Sequence, residues 1–212
     1  MWALVTDGTI QQIYQRPKSL IIGEVRYPSN MFTKYTDAEK AAIGIYPVED
    51  SGVKGDDRFE YTSQATYTWN ASNKKVTTSY NIVVKSLVDV ESKDEDGNNI
   101  LDYKNNKTYT YGLKTLTKNN IKRQANSYIK QFNWLVERNI YDSDKAIPDV
   151  VKTYVAAIKK DCADIETAID NASDMDAFKA LYKDTKDSDG NITEVNRINR
   201  WSDNYDVQTY MR

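Results

Sequence analysis

The sequence contains no histidine. That absence removes Ser-His-Asp and Cys-His nucleophile arrangements and the commonest zinc ligand. Cysteine is nearly absent as well: Cys162 stands alone, so no disulfide can form within the chain and synthesis in a reducing compartment is expected. The eight glycines are scattered among turns and build no Gly-rich phosphate loop. No apolar run reaches the ~18 residues of a membrane span, and the opening Met-Trp-Ala-Leu-Val-Thr-Asp lacks the basic start and apolar centre of a signal peptide. A soluble, unprocessed chain is therefore expected. Basic excess is missing too, since 29 Lys and Arg face 31 Asp and Glu. Neither nucleic acid nor membrane is expected as a partner.

What the chain has in quantity is tyrosine, 16 in 212 residues. Tyrosine joins an apolar face to a hydrogen-bonding tip, which suits half-buried strands and protein contacts. The N-terminal half reads as extended structure. Trp2–Val5 and Ile10–Tyr14 flank Asp7-Gly8, a favoured two-residue hairpin turn. Leu20–Tyr27 gives a second extended stretch, ended by Pro28. Thr36-Asp37-Ala38-Glu39 has the form of a capping box, and Gly44 can close the short helix that follows, with Pro47 preventing its continuation. From Arg58 to Val90 residues alternate. Phe59, Tyr61, Tyr67, Trp69, Val76 and Thr78, then Tyr80, Ile82 and Val84, fall on one side of a hairpin that turns at 70–73, while Thr77, Ser79 and Asn81 face water.

Residues 91–99 read as a polar loop, with a weak strand signal from Lys107 to Leu113. In the C-terminal half, Ile121, Ala125, Tyr128, Ile129, Phe132, Leu135 and Val136 form one apolar stripe, predicting a helix over 117–139. A second stripe, Val151, Val155, Ile158, Cys162, Ile165 and Ile169, begins after Pro148, placed in a first helical turn. Ser173 is the expected cap of a shorter third helix bearing Phe178, Leu181 and Tyr182. The fold class expected is α+β, an antiparallel β-rich N-terminal half followed by a small helical bundle: an antiparallel helical hairpin plus a short third helix. Four regions follow: 1–90 as the β-rich domain, 91–115 as linker or extra β-hairpin, 116–183 as the bundle, and 184–212 as a polar tail. That tail turns at Asp189-Gly190-Asn191 and either pairs as a hairpin or packs on a neighbour.

Two acidic stretches, 94–98 and 187–192, have the look of calcium loops. Registered on their glycines, they place Ser92 and Thr185 at the first ligand position, with Tyr103 and Asn196 where a bidentate Glu belongs. Simple Asp-Gly turns are the expectation, and no metal, cofactor-binding or catalytic residue is assigned. Cys162 lies on an apolar stripe and reads as a small buried hydrophobe. A carboxylate pair able to cleave glycans would meet only in space, so the sequence neither supplies nor excludes one. Tyr61, Tyr67, Trp69 and Tyr80 are candidates for core packing first, and for a sugar-stacking or subunit contact second.

Two stretches carry a resemblance. Trp2-Ala3-Leu4-Val5 with Asp7-Gly8, Arg16-Pro17-Lys18, Tyr27-Pro28, Ala38-Glu39 and the run 42–48 resemble an opening module of tailed-bacteriophage structural proteins. Phe132-Asn133-Trp134 with Glu137-Arg138, then Ile147-Pro148, Tyr154 and Ala156-Ala157-Ile158-Lys159, are similar to the C-terminal helical segment of phage tail-fibre and tail-fibre-assembly proteins. Asn133 stands there for the usual Asp, and Val155 and Lys159 for Arg. The resemblance implies a non-enzymatic virion protein of the tail, baseplate or fibre attachment, made in the host bacterial cytoplasm. Its partners would be other phage tail or fibre proteins, met as a symmetric homo-oligomer. A tail-fibre assembly chaperone is one alternative, and a receptor-binding or glycan-degrading tail protein another. The residues that follow as contact or fold-defining candidates are Tyr61, Tyr67, Trp69, Tyr80, Trp134, Arg138, Pro148, Tyr154 and Trp201.

Overall fold

The structure is a computed structural model that describes residues 1–211. The chain is α+β, with antiparallel sheets in its N-terminal half and helices in its C-terminal half. It divides into two compact units, Met1–Val84 and Lys85–Arg212.

In the first unit, β1 (Trp2–Thr6) and β2 (Thr9–Tyr14) pair antiparallel around Asp7 and Gly8, both at positive φ as the hairpin turn requires. The expected single stretch over 20–27 is in fact a hairpin: β3 (Leu20–Ile22) folds back on β4 (Val25–Tyr27) at Gly23, whose φ of 60° a β-branched residue would resist. A four-residue helix α1 (Met31–Lys34) follows. Helix α2 (Asp37–Ala42) carries the expected capping box, in which Thr36 Oγ1 accepts from Glu39 N at 3.2 Å and Thr36 N donates to Glu39 Oε2 at 2.7 Å.

Strand β5 (Ile45–Glu49) was not legible, because Pro47 reads as a strand breaker. The proline fits because β1 pairs with residues 45–47 and the parallel partner joins only from Val48. Strands β6 (Glu60–Thr62), β7 (Thr66–Asn70), β8 (Lys75–Ser79) and β9 (Ile82–Val84) complete the unit. One sheet runs β2-β1-β5-β8-β7, while β6 and β9 form a separate ribbon. The expected continuous face from 59 to 84 is therefore divided: Val76 and Thr78 are buried, whereas Tyr61, Ile82 and Val84 are exposed. On one face of the main sheet Ile45 and Tyr14 pack with Met31 and Phe32. On the other, Ala3, Val5 and Val76 meet Ile10, Ile13, Tyr67 and Trp69, so both edge strands contribute to one core.

The second unit opens with β10 (Val90–Glu91) paired to β11 (Tyr109–Thr110). Between them the 91–99 stretch, expected as a polar loop in a linker or extra β-hairpin, is part of a hairpin arrangement. Lys93 bridges Asn99 and Leu101 bridges Lys107, so that three hairpin arms meet. At the meeting point Ser92 N donates to Thr108 O, Thr108 N to Ile100 O and Ile100 N to Ser92 O, each at 2.9 Å. The three bonds close a ring.

Helix α3 (Leu113–Lys130) starts earlier than the sequence suggests because its cap is remote. Gly112 N donates to Asp89 Oδ1 at 2.8 Å, Leu113 N to Ser86 O at 2.9 Å and Lys114 N to Leu87 O at 3.1 Å. These acceptors satisfy N–H groups that a helix leaves free at its start. The expected single helix over 117–139 is broken at Gln131-Phe132, after which α4 (Asn133–Tyr141) begins. Tight bonds from Phe132 N to Ile129 O and from Leu135 N to Phe132 O make the join, and the apolar spacing continues across it.

Helix α5 (Asp149–Asn171) has Pro148 as its N-cap, one position before the first helical turn. It lies antiparallel to α3, as the pairs Lys118–Asp170 and Lys122–Glu166 require. Asp174, not Ser173, caps α6 (Met175–Ala180), accepting from Ala177 N at 2.8 Å; Ser173 Oγ instead donates to the Asp174 carboxylate. The tail takes the hairpin alternative, with β12 (Thr185–Lys186) paired to β13 (Ile192–Glu194). The core gathers Phe132, Leu135, Val151, Tyr154 and Ile158 with Val207 from the C-terminal segment.

Candidate contact surfaces

Four of the nine candidate residues gather at the corner between α4 and α5. The Trp134 indole donates from Nε1 to Tyr210 O at 2.9 Å, tying the C-terminal segment to α4. The Arg138 guanidinium lies 5.2 Å from the Trp134 ring centroid, a cation–π distance, and its Nη2 reaches Ala146 O at 3.4 Å. Arg138 thereby spans from α4 to the connection that leads into Pro148. The Pro148 carbonyl accepts from Val151 N and Lys152 N, and Tyr154 is buried edge-on to Phe132 at 5.7 Å. The arrangement fixes a corner. Trp201 packs on Tyr128 at 5.4 Å in the same unit, and so does not await a neighbour; its buried Nε1 has no acceptor among the described residues.

The strand aromatics do not form one platform. Trp69 contacts Tyr46 at 4.4 Å, and both Trp69 and Tyr67 are half-buried against the sheet core. The Tyr80 hydroxyl donates to Asp50 Oδ1 at 3.3 Å, an oxygen that also accepts from the buried Thr78 at 2.7 Å. Tyr61 lies on the β6–β9 ribbon and is 62% exposed. A richer exposed apolar set was missed: Val88, Val90, Ile100, Leu101, Tyr109 and Tyr111 lie on or beside the three-armed hairpin, with Tyr103 90% exposed at one tip. Alternation over 90–111 is short and polar residues outnumber apolar ones, so no periodicity marked it.

The two calcium-like stretches turn out to be two of three copies of one turn. Asp94, Asp102 and Asp187 each accept at Oδ1 from the backbone N–H groups two and four residues on, at 2.8–3.0 Å. In each, the Asn four residues on donates from Nδ2 back to the other carboxylate oxygen. Gly97, Asn105 and Gly190 hold the left-handed position between them. The carboxylates thus serve the backbone, and among the described residues no group of three or more Cys, Asp or Glu is placed to hold a metal. The signal, Asp followed at four by Asn with Gly or Asn just before it, was present but unrecognised in the sequence.

These bonds stabilise the charged form. Backbone donors from Asn98 and Asn106 hold the Asp94 and Asp102 carboxyls below the usual carboxylate range; for Asp187 the Asn191 side chain leads and its backbone N–H follows. A depressed folded-state pKa contributes stability above the unfolded pKa, and that contribution is lost as pH falls through the folded one. The amide proton shifts of Asn98, Asn106 and Asn191 are therefore each expected to titrate with a midpoint below that of an unperturbed aspartate. NMR spectra recorded down an acid series would show it, and midpoints at or above the unperturbed value would refute the assignment.

Cys162 is half-buried rather than enclosed, and its Sγ lies 3.5 Å from Glu166 Oε1. Desolvation first, and the bond and charge of Glu166 next, push the thiol pKa up. That leaves little thiolate at neutral pH, the reverse of what a nucleophile requires. No helix among the described residues is long and apolar enough to cross a membrane.

Comparisons with protein-family models, curated proteins and solved structures find no match to this chain.

Proposed function

We propose that the protein is a structural component of a bacteriophage tail, a tail, baseplate or fibre-attachment subunit that works through contacts with other tail proteins and carries out no reaction. The observation that supports this most is the paired resemblance of residues 2–48 and 132–159 to phage tail sequences. Trp134, Arg138, Pro148 and Tyr154 fit it, since all four hold the α4–α5 corner and none is presented as a reacting group. Exposed apolar side chains on the three-armed hairpin offer contact surface of the kind a repeated subunit uses. Symmetric repetition would raise the effective concentration of each weak contact.

The helical resemblance extends to tail-fibre assembly chaperones, which act in the infected cell and leave the particle. One measurement separates the two readings. Mass spectrometry of purified particles is expected to find this polypeptide in several copies. Its presence in the lysate and absence from the particle would replace the structural reading with the chaperone.

A further inference from the structure

Helices α3 and α4 on one side and α5 on the other leave a groove that the C-terminal segment does not fill. Its floor is apolar. Phe132 and Val151 lie at the bottom, Ile129, Ile147 and Val155 are half-buried along it, and Val136 is 46% exposed at one wall. This section has a volume of about 250 Å³. Ile129 and Lys159 are shared with a second section that continues to Ala125 and Cys162, so the depression is continuous. From Val151 to Cys162 it follows α5 for about 16 Å, three helical turns.

The charge at its rim has one sign. Lys122, Lys130, Lys152 and Lys159 line the groove and its flank, and among the described residues no carboxylate does. Glu166 stands just past the Cys162 end, where it engages Lys122, and Asp149 engages Lys152 from outside. Three turns of apolar floor, bordered by lysines and by the neutral Asn126 and Asn133, match one kind of occupant.

We propose that the groove binds an acidic amphipathic helix presented by another protein, which lays its apolar stripe along Ile129 and Val155 and its Glu or Asp side chains against Lys152 and Lys159. The helix would complete a three-helix bundle by ridge-into-groove packing. The lysines would contribute mainly to orientation and to the rate of encounter, and the floor to the duration of the complex. The inference rests on the reading that the protein acts through contacts.

The test uses the full chain and a labelled synthetic helix of about 14 residues, long enough to span the groove, with leucines at helical spacing and glutamates elsewhere. A second peptide replaces every glutamate by lysine. Fluorescence anisotropy is expected to show saturable binding of the acidic peptide, at least tenfold weaker binding of the basic one, and weakening with added salt. Lys152→Glu with Lys159→Glu, both exposed, should reduce acidic-peptide affinity at least tenfold while circular dichroism shows the helices intact. Val155→Asp should abolish it, with circular dichroism checking that the helices remain. Equal binding of both peptides, or none of the acidic one, overturns the proposal. So does sedimentation showing a dimer that Val155→Asp converts to monomer, since the occupant is then a second copy. A chain found in particles that ignores the peptide loses the groove and keeps the tail reading, whereas absence from particles leaves the peptide result unaffected.

Discussion

Gly112→Ala is expected to cost about 3 kcal/mol or more, near the upper end for an overpacked site. Conformational freedom is not the reason, because Gly112 has φ −77° and ψ 169°, which any residue adopts. The reason is proximity. A Cβ here would stand 2.4 Å from both the carbonyl carbon and the oxygen of Val88, and 2.6 Å from Leu87 O. All three are backbone atoms, with no rotamer by which to withdraw. The 86–89 segment cannot retreat freely either, since it accepts from Gly112, Leu113 and Lys114 and, through Asp89 Oδ2, from the Thr115 hydroxyl at 3.0 Å. Relieving the clash would uncap α3. Urea denaturation of the variant beside Gly97→Asn makes the contrast: Gly97 has open space around it, and Asn105 already holds the same left-handed position in the sister turn. The second change should be nearly neutral. Equal midpoints for the two variants would refute the close approach at Gly112.

Ile158→Ala is expected to lose about 2–5 kcal/mol, the range for emptying a closed core site. Ile158 is fully buried on α5 and belongs to the cluster of Phe132, Leu135 and Tyr154. Helices α3, α4 and α5 and the C-terminal segment all contribute to that cluster, so collapse around the void would need several elements to shift together. Val155→Ala, one turn away on the groove floor, already borders open space and is expected to cost ~1 kcal/mol. Guanidinium titration with an unchanged slope would measure both. A cost at Ile158 no greater than at Val155 would place the core on the wrong face of α5.

Local chemistry was legible wherever it was self-contained. Asp7-Gly8 needs only its own backbone to turn, Thr36 and Glu39 cap each other across three residues, and Val151, Ile158, Ile165 and Ile169 of the α5 stripe are buried as their spacing implies, with Val155 and Cys162 half-buried. Elements whose partners lie far along the chain were not. The first turn of α3 borrows acceptors from 86–89, so no Ser, Thr, Asp or Asn at position 112 announced it. Strand β5 tolerates Pro47 because its partner on that side begins one residue later, a fact of register. The α3–α4 break escaped notice because Phe132 and Leu135 keep helical spacing across it. Trp134, Arg138, Pro148 and Tyr154 stand out in the sequence as contact or fold-defining candidates, and in the fold they lie together at one corner. The groove could not be read in advance, because periodicity tells which positions are apolar and not which of them another segment will cover.

The closed ring of bonds among Ser92, Ile100 and Thr108 separates support from display. Each branch is anchored at its root by main-chain atoms that every residue but proline possesses, so the ends at 95–96 and 103–104 can change identity or length while the root keeps its form. Substitutions confined to those ends would leave the rest of the molecule undisturbed.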